Sequence, residues 1–188
     1  MDLSKKPETT AEDSLKDSQS NPSGLIYWDD YDFDNQSNIS KWVIVNDDVM
    51  GGVSSCQMGI DKKGNGVFEG LISTANNGGF SSIRLNLDRV EVSEDSYFKI
   101  KLKGDNKIYQ LRIKTNRSDY HSYIASFQTS SQWEIIKIAL KDMYPSFRGR
   151  KLNMKNFSGD YFQQISFLVG NKKNERFKLL IDSIELVN

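Results

Sequence analysis

From residue 25 onward, apolar side chains recur at every second position. In YFKIKLK, Phe98, Ile100 and Leu102 alternate with Lys99, Lys101 and Lys103; in IYQLRIK, Tyr109, Leu111 and Ile113 alternate with Gln110, Arg112 and Lys114. Successive side chains of an extended chain point to opposite faces, so both runs predict strands with one face in a core and the other in water. Gly104, Asp105 and Asn106 between them supply turn chemistry and predict a hairpin. The same reasoning pairs SSCQMGI with VFEGLI across DKKGNG, whose glycines and asparagine suit positive φ. Further strands are predicted at WVIV, SSIRLNL, SYIASFQ, WEIIKIAL, QISFLVG and FKLLIDSIELV. Helical periodicity is almost absent. Short alternating strands with turn residues between them predict an all-β fold, an antiparallel sandwich or barrel. No segment repeats at a fixed period, which argues against a propeller or solenoid.

Residues 1–24 break this pattern. Their only large aliphatic side chains are Met1, Leu3 and Leu15, and most of the rest are charged, hydroxylated or amide-bearing, too poor in apolar surface to offset the entropy of ordering. They predict a disordered polar tail, followed by one domain over residues 25–188, in keeping with the 188-residue length. Lysine plus arginine and aspartate plus glutamate number 25 each, so no global field draws the chain to nucleic acid or an anionic membrane. No apolar run approaches the ~18 residues that span a bilayer. The first residues lack both a secretory signal and an arginine-rich transit peptide, so a cytoplasmic location is expected. Cys56 is the only cysteine, which excludes an internal disulfide and a thiolate zinc site, and suits a reducing compartment.

The chemistry then turns on NDDVMGGVSS, residues 46–55. It lacks the lysine of a P-loop and the three spaced glycines of a dinucleotide site. Asp30, Asp32 and Asp34 have the spacing of a calcium loop's first ligands, but Asn35 stands where glycine belongs and Lys41 where a bidentate glutamate belongs. His121 lies near Asp119 and several serines, without the elbow that presents a nucleophile. Asp47 could join a distant carboxylate such as Glu69 or Asp119 in hydrolysis, though nothing selects a partner. A turn accounts better for the segment: Asn46, Asp47 and Asp48 bend the chain, Val49 and Met50 plug the interior, and Gly51 and Gly52 launch a strand. NNGGFSS, with Gly78, Gly79 and Phe80, repeats the recipe. No catalytic residue, metal or cofactor is expected. Lys99, Lys101, Lys103, Arg112 and Lys114 are expected on the outer face of one hairpin, a solvated sheet face.

Several ordered motifs resemble one family. VNDDVMGGVSS, GGFSSIR, LKGDNKIYQLRIK, a tryptophan strand with FRG, and FKLLIDSIEL together are similar to the domain of complex I intermediate-associated protein 30, from about Tyr27 to Val187. The matching positions are Trp42, Asn46, Asp47, Met50, Gly51, Gly52 and Ser54; Gly78, Gly79, Phe80 and Arg84; Gly104, Asp105, Tyr109, Leu111 and Arg112; and Trp133, Phe147, Arg148 and Gly149. Ala139-Leu140 departs from the family's Pro-Phe. The resemblance implies a galactose-binding-like jelly-roll sandwich and a non-enzymatic assembly factor or chaperone for a protein complex. The expected partner is therefore a protein, held through Tyr144 and Phe147 with Arg148, Arg150 and Lys151 at the rim. Glycan binding by Trp28, Trp42 or Trp133 is the alternative, and a hydrolase built on Asp47 the third reading.

Overall fold

The computed structural model describes residues 25–27, 39–46 and 53–188. The predicted tail, Trp28, the three aspartates of DYDFDN, and Asp47, Asp48, Val49, Met50, Gly51 and Gly52 lie outside them. Among the described residues the architecture is two antiparallel sheets. One has six strands, in the order β3 (Ser55–Ile60), β4 (Gly66–Ile72), β13 (Glu175–Val187), β6 (Tyr97–Lys103), β9 (Trp133–Ala139), with β1 (Leu25–Tyr27) also on β13. The other has seven: β11 (Arg150–Lys151), β10 (Tyr144–Phe147), β8 (Ser122–Gln128), β7 (Ile108–Lys114), β12 (Tyr161–Val169), β5 (Ser81–Glu91) and β2 (Trp42–Asn46). The fold is an antiparallel sandwich, as the alternation predicts, and of the jelly-roll kind that the resemblance implies. No helix among the described residues is long and apolar enough to cross a membrane.

The core lies between the sheets. Phe98, Ile100 and Leu102 of β6 and Leu179 and Ile181 of β13 face Tyr109, Leu111 and Ile113 of β7 and Ile165 and Phe167 of β12, all buried. Phe98 meets Phe162 across the gap with ring centroids 5.6 Å apart. Each such side chain contributes about 1.5–3 kcal/mol by leaving water, and every one is an alternate position of its strand.

The β3–β4 hairpin forms as predicted, with Asp61 closing its loop by accepting the Lys63 and Asn65 amides at 2.8 and 3.0 Å. The predicted hairpin of β6 with β7 does not form. β6 pairs with β13 and β9, whereas β7 pairs with β12 and β8, so residues 104–107 carry the chain from one sheet to the other. The crossover is held by its neighbours. Gly104 donates to the Ser130 carbonyl at 3.0 Å, and the Thr129 amide and hydroxyl donate to the Lys107 carbonyl at 3.0 and 2.9 Å. Residues 129 and 130 belong to a second crossover, from β8 to β9, so the two connections brace one another. The expected basic face is thereby split, with Lys99, Lys101 and Lys103 on the six-stranded sheet and Arg112 and Lys114 on the other.

Candidate functional site

Most motif residues that the structure describes are consumed by the scaffold. Trp42, 8% exposed, stacks on Phe167 at 6.3 Å inside the core, so it is not a sugar-stacking platform. The Asn46 side-chain oxygen accepts from the Ser81 hydroxyl at 2.9 Å and the Cys56 thiol at 3.1 Å, joining β2, β5 and β3. The Ser54 hydroxyl bridges to Ser73, accepting its amide at 3.0 Å. Gly78 closes the 3-10 turn Ala75–Asn77 by donating to the Ala75 carbonyl, Gly79 has φ +127°, and Phe80 beside them is half-buried. Gly104 is required by close approach, since a Cβ there would lie 2.1 Å from Thr129 Oγ1. Asp105 is a latch: its carboxylate accepts the Tyr109 hydroxyl at 2.9 Å, Lys107 Nζ at 2.8 Å and the Lys178 amide at 2.9 Å. Burial, reinforced by Asp105, pushes the Tyr109 phenol far above its usual range and keeps it the donor.

Two motif arginines, Arg84 and Arg112, are not used in this way, and the sheet register brings them together. On the outer face of the seven-stranded sheet Arg112 stands opposite Ser166 on one side and Ile124 on the other; Arg84 stands opposite Ser166 and Val43. Tyr144 continues the row beyond Ile124. Lys114 lies two residues from Arg112 on the same face, opposite Gln164, which donates to Asn86 at 2.7 Å. Arg112 donates Nε and Nη2 to one acceptor, Gln110 Oε1, at 3.0 and 2.6 Å. Lys114 donates to the Asp119 carbonyl at 2.5 Å. Among the described residues no carboxylate lies within ion-pair distance of Arg84, Arg112 or Lys114. Burial, with Arg84 adding to it against an opposing pull from Tyr144, lowers the Arg112 pKa. Lys114 is lowered by burial and by Arg84, with Asp119 opposing.

A second surface lies at the sheet's edge, where β10 and β11 form a two-residue hairpin. Phe147 pairs with Arg150, and Arg148 and Gly149 between them have φ +49° and +76°, the left-handed pair of a type I′ turn. This is the structural reason for the FRG motif. Phe147 packs edge-on against Tyr120, centroids 5.3 Å apart, and the Tyr120 hydroxyl meets Met154 Sδ at 3.9 Å. Tyr120 is nonetheless 62% exposed, Met154 43% and Phe147 38%. The Arg148 guanidinium sits 5.3 Å from the Phe147 ring and Lys151 Nζ 5.1 Å from the Tyr144 ring. Arg148, Arg150, Lys151 and Lys155 make no ion pair among the described residues. Tyr120 and Met154 escape sequence reading: neither belongs to an alternating run, and only the fold sets them beside Phe147.

The carboxylates weighed for chemistry have other work. Glu69 accepts from Lys178 Nζ at 2.8 Å and Gln57 at 2.7 Å, which holds its pKa down, and Asp119 caps the Asn116 amide at 2.8 Å. His121 sits at the start of β8 with both ring nitrogens buried and unbonded, between Tyr120 and Tyr123. It holds no serine or aspartate. Among the described residues no three His, Cys, Asp or Glu side chains gather to hold a metal ion. Trp133 is 42% exposed beside a 340 Å³ depression shared with Lys103 and Leu180.

Residues 31–181 match the family model described as complex I intermediate-associated protein 30. No curated protein matches the chain. Among solved structures, the family 11 carbohydrate-binding module of the cellulosomal cellulase Lic26A-Cel5E of Clostridium thermocellum is similar at a TM-score of 0.60 and 17% identity, over 88% of this chain and 95% of that one. The Clostridium thermocellum family 11 module in complex with a β-1,3-1,4-mixed-linked tetrasaccharide gives 0.58 and 16%, over 79% and 89%. At these identities the likeness is one of fold.

Proposed function

Because the chain belongs to the complex I intermediate-associated protein 30 family, we propose that it is a non-enzymatic protein-binding module, an assembly factor or chaperone, that docks an acidic partner protein on its β10–β11 edge. The observation that supports this is the edge-on contact of Phe147 with the exposed Tyr120, beside Arg148 and Lys151, which make no ion pair among the described residues. Aromatic and arginine side chains at the centre of a patch carry most of the energy of protein interfaces, and a basic rim steers an acidic surface. The rigid type I′ turn holds Phe147 and Arg148 in place before binding, which lowers the entropy lost on docking. Photocrosslinking tests the assignment. A reactive residue at position 147 is expected to capture one acidic protein reproducibly, and the double charge reversal Arg148→Glu, Arg150→Glu to abolish that capture. Capture no better than from a control position on β13, or indifferent to charge reversal, contradicts the assignment.

A second reading, glycan binding, is favoured by Trp133, the one described tryptophan with an open face. A stacked sugar would quench or shift tryptophan fluorescence, and the response would vanish in Trp133→Ala; an unresponsive spectrum across a sugar panel removes this reading.

A further inference from the structure

The outer face of the seven-stranded sheet holds a charge imbalance that no described residue balances. Burying a cation without a counter-charge is costly, and folds ordinarily remove the cost by pairing it. Arg112 is partly buried in a row whose neighbours Ile124, Gln164 and Ser166 are themselves buried, so water reaches it poorly. Its only protein acceptor among the described residues is the neutral Gln110. Arg84 has none, and Lys114 finds a carbonyl. Core packing gives no reason for a second arginine: Arg84 points away from the core, between Ser82 and Asn86 on its own strand, and Asn86 is already satisfied by Gln164.

The spacing is that of a chelate. Arg84 and Arg112 both flank Ser166, so their backbones stand two strand intervals apart, about 9.5 Å. From that separation both arginines can reach a ligand seated over Ser166, whose hydroxyl makes no hydrogen bond among the described residues. Lys114, about 7 Å along β7, closes the third side. Guanidinium forks match the paired oxygens of carboxylates and phosphates, and a lysine adds a point charge. Gln110, Gln164 and Asn86 around the three cations can bond hydroxyl groups carried by the same molecule.

We propose that Arg84, Arg112 and Lys114 form a binding site for an oxyanion, the carboxylate or phosphate of a small polyhydroxylated ligand, seated over Ser166. The ligand supplies the counter-charge that the described residues do not. The site lies three strands inward from the β10–β11 hairpin, so it stands or falls separately from the protein-docking edge.

The test is a titration of the full chain at low salt, followed by amide chemical shifts, with glucuronate, glucose 6-phosphate and glucose: one ring bearing a carboxylate, a phosphate or neither. At least one charged sugar is expected to bind at least tenfold more tightly than glucose, to weaken as salt is added, and to shift amides of β5, β7 and β12. Binding by one charged sugar alone identifies which oxyanion is preferred; binding by both supports their shared chemistry. Arg112→Gln and Arg84→Gln should each weaken it at least tenfold, and Arg84 serves if the Arg112 variant does not fold. Phe147→Ala should leave it unchanged. The site is overturned if neither charged sugar binds, if glucose binds equally well, or if the folded arginine variants bind like the parent chain.

Discussion

Lys99, Lys101 and Lys178 on the outer face of the six-stranded sheet each meet a carboxylate: Glu185 at 2.9 Å, Asp182 at 3.3 Å and Glu69 at 2.8 Å. Two of these pairs, Lys99 with Glu185 and Lys178 with Glu69, are directly opposed in the register. On the seven-stranded sheet the residues opposite Arg84 and Arg112 are Ser166, Ile124 and Val43, none of them acidic. On the first face three cations meet a carboxylate, while Lys103, Lys137 and Arg176 beside them make no ion pair among the described residues. On the second, Arg84, Arg112 and Lys114 meet no carboxylate among the described residues. Among the described residues the difference is therefore one of placement: the partly buried Arg112 row of the second face has no acid beside it, whereas the lysines at the centre of the first face do.

The largest effect is expected where a charge is locked into the joint between the sheets. Asp105→Ala removes three hydrogen bonds and leaves the buried Tyr109 hydroxyl without its acceptor; a loss of about 3 kcal/mol in urea unfolding is expected. Gly104→Ala, which forces a methyl into Thr129, should cost about 2 kcal/mol by the same measurement. The closed face should respond weakly to losing a pair. Glu69→Ala is expected to cost about 0.5 kcal/mol once solvent screening is counted. Its pH dependence has a definite sign. The folded pKa of Glu69 lies below the ordinary value of 4.5, so its contribution is present above that value and lost as pH falls through the lowered one. Unfolding measured from pH 6 to pH 2 should show a shallower acid decline in Glu69→Gln than in the parent chain.

The alternation of YFKIKLK and IYQLRIK correctly assigns which side chains enter the core, because side-chain period is a local property. It carries no information about pairing partners. Gly104-Asp105-Asn106 looks like a hairpin turn since tight turns and sheet-to-sheet crossovers use the same residues; what distinguishes them is Thr129 against Gly104, and the Lys178 amide 73 positions from Asp105. The site was legible in the same partial way. Arg84 and Arg112 are visible as motif residues, but their convergence needs the register of β5, β12 and β7. The basic set proposed from sequence joined Arg112 and Lys114 to the wrong lysines for that reason. Asn46 and Ser54 lie in the segment weighed for chemistry, because polar residues beside glycines serve turns and active sites alike; only their hydrogen-bond partners separate the two uses.

The claim that the arginine row serves a ligand and not the fold is tested most directly without any ligand. Urea unfolding at low ionic strength should find the doubly neutralised chain, Arg84→Gln with Arg112→Gln, at least as stable as the parent, by about 0.5 kcal/mol as like-charge repulsion is relieved. A loss of more than about 1 kcal/mol would show that the guanidinium groups hold the sheet together, and would contradict the account.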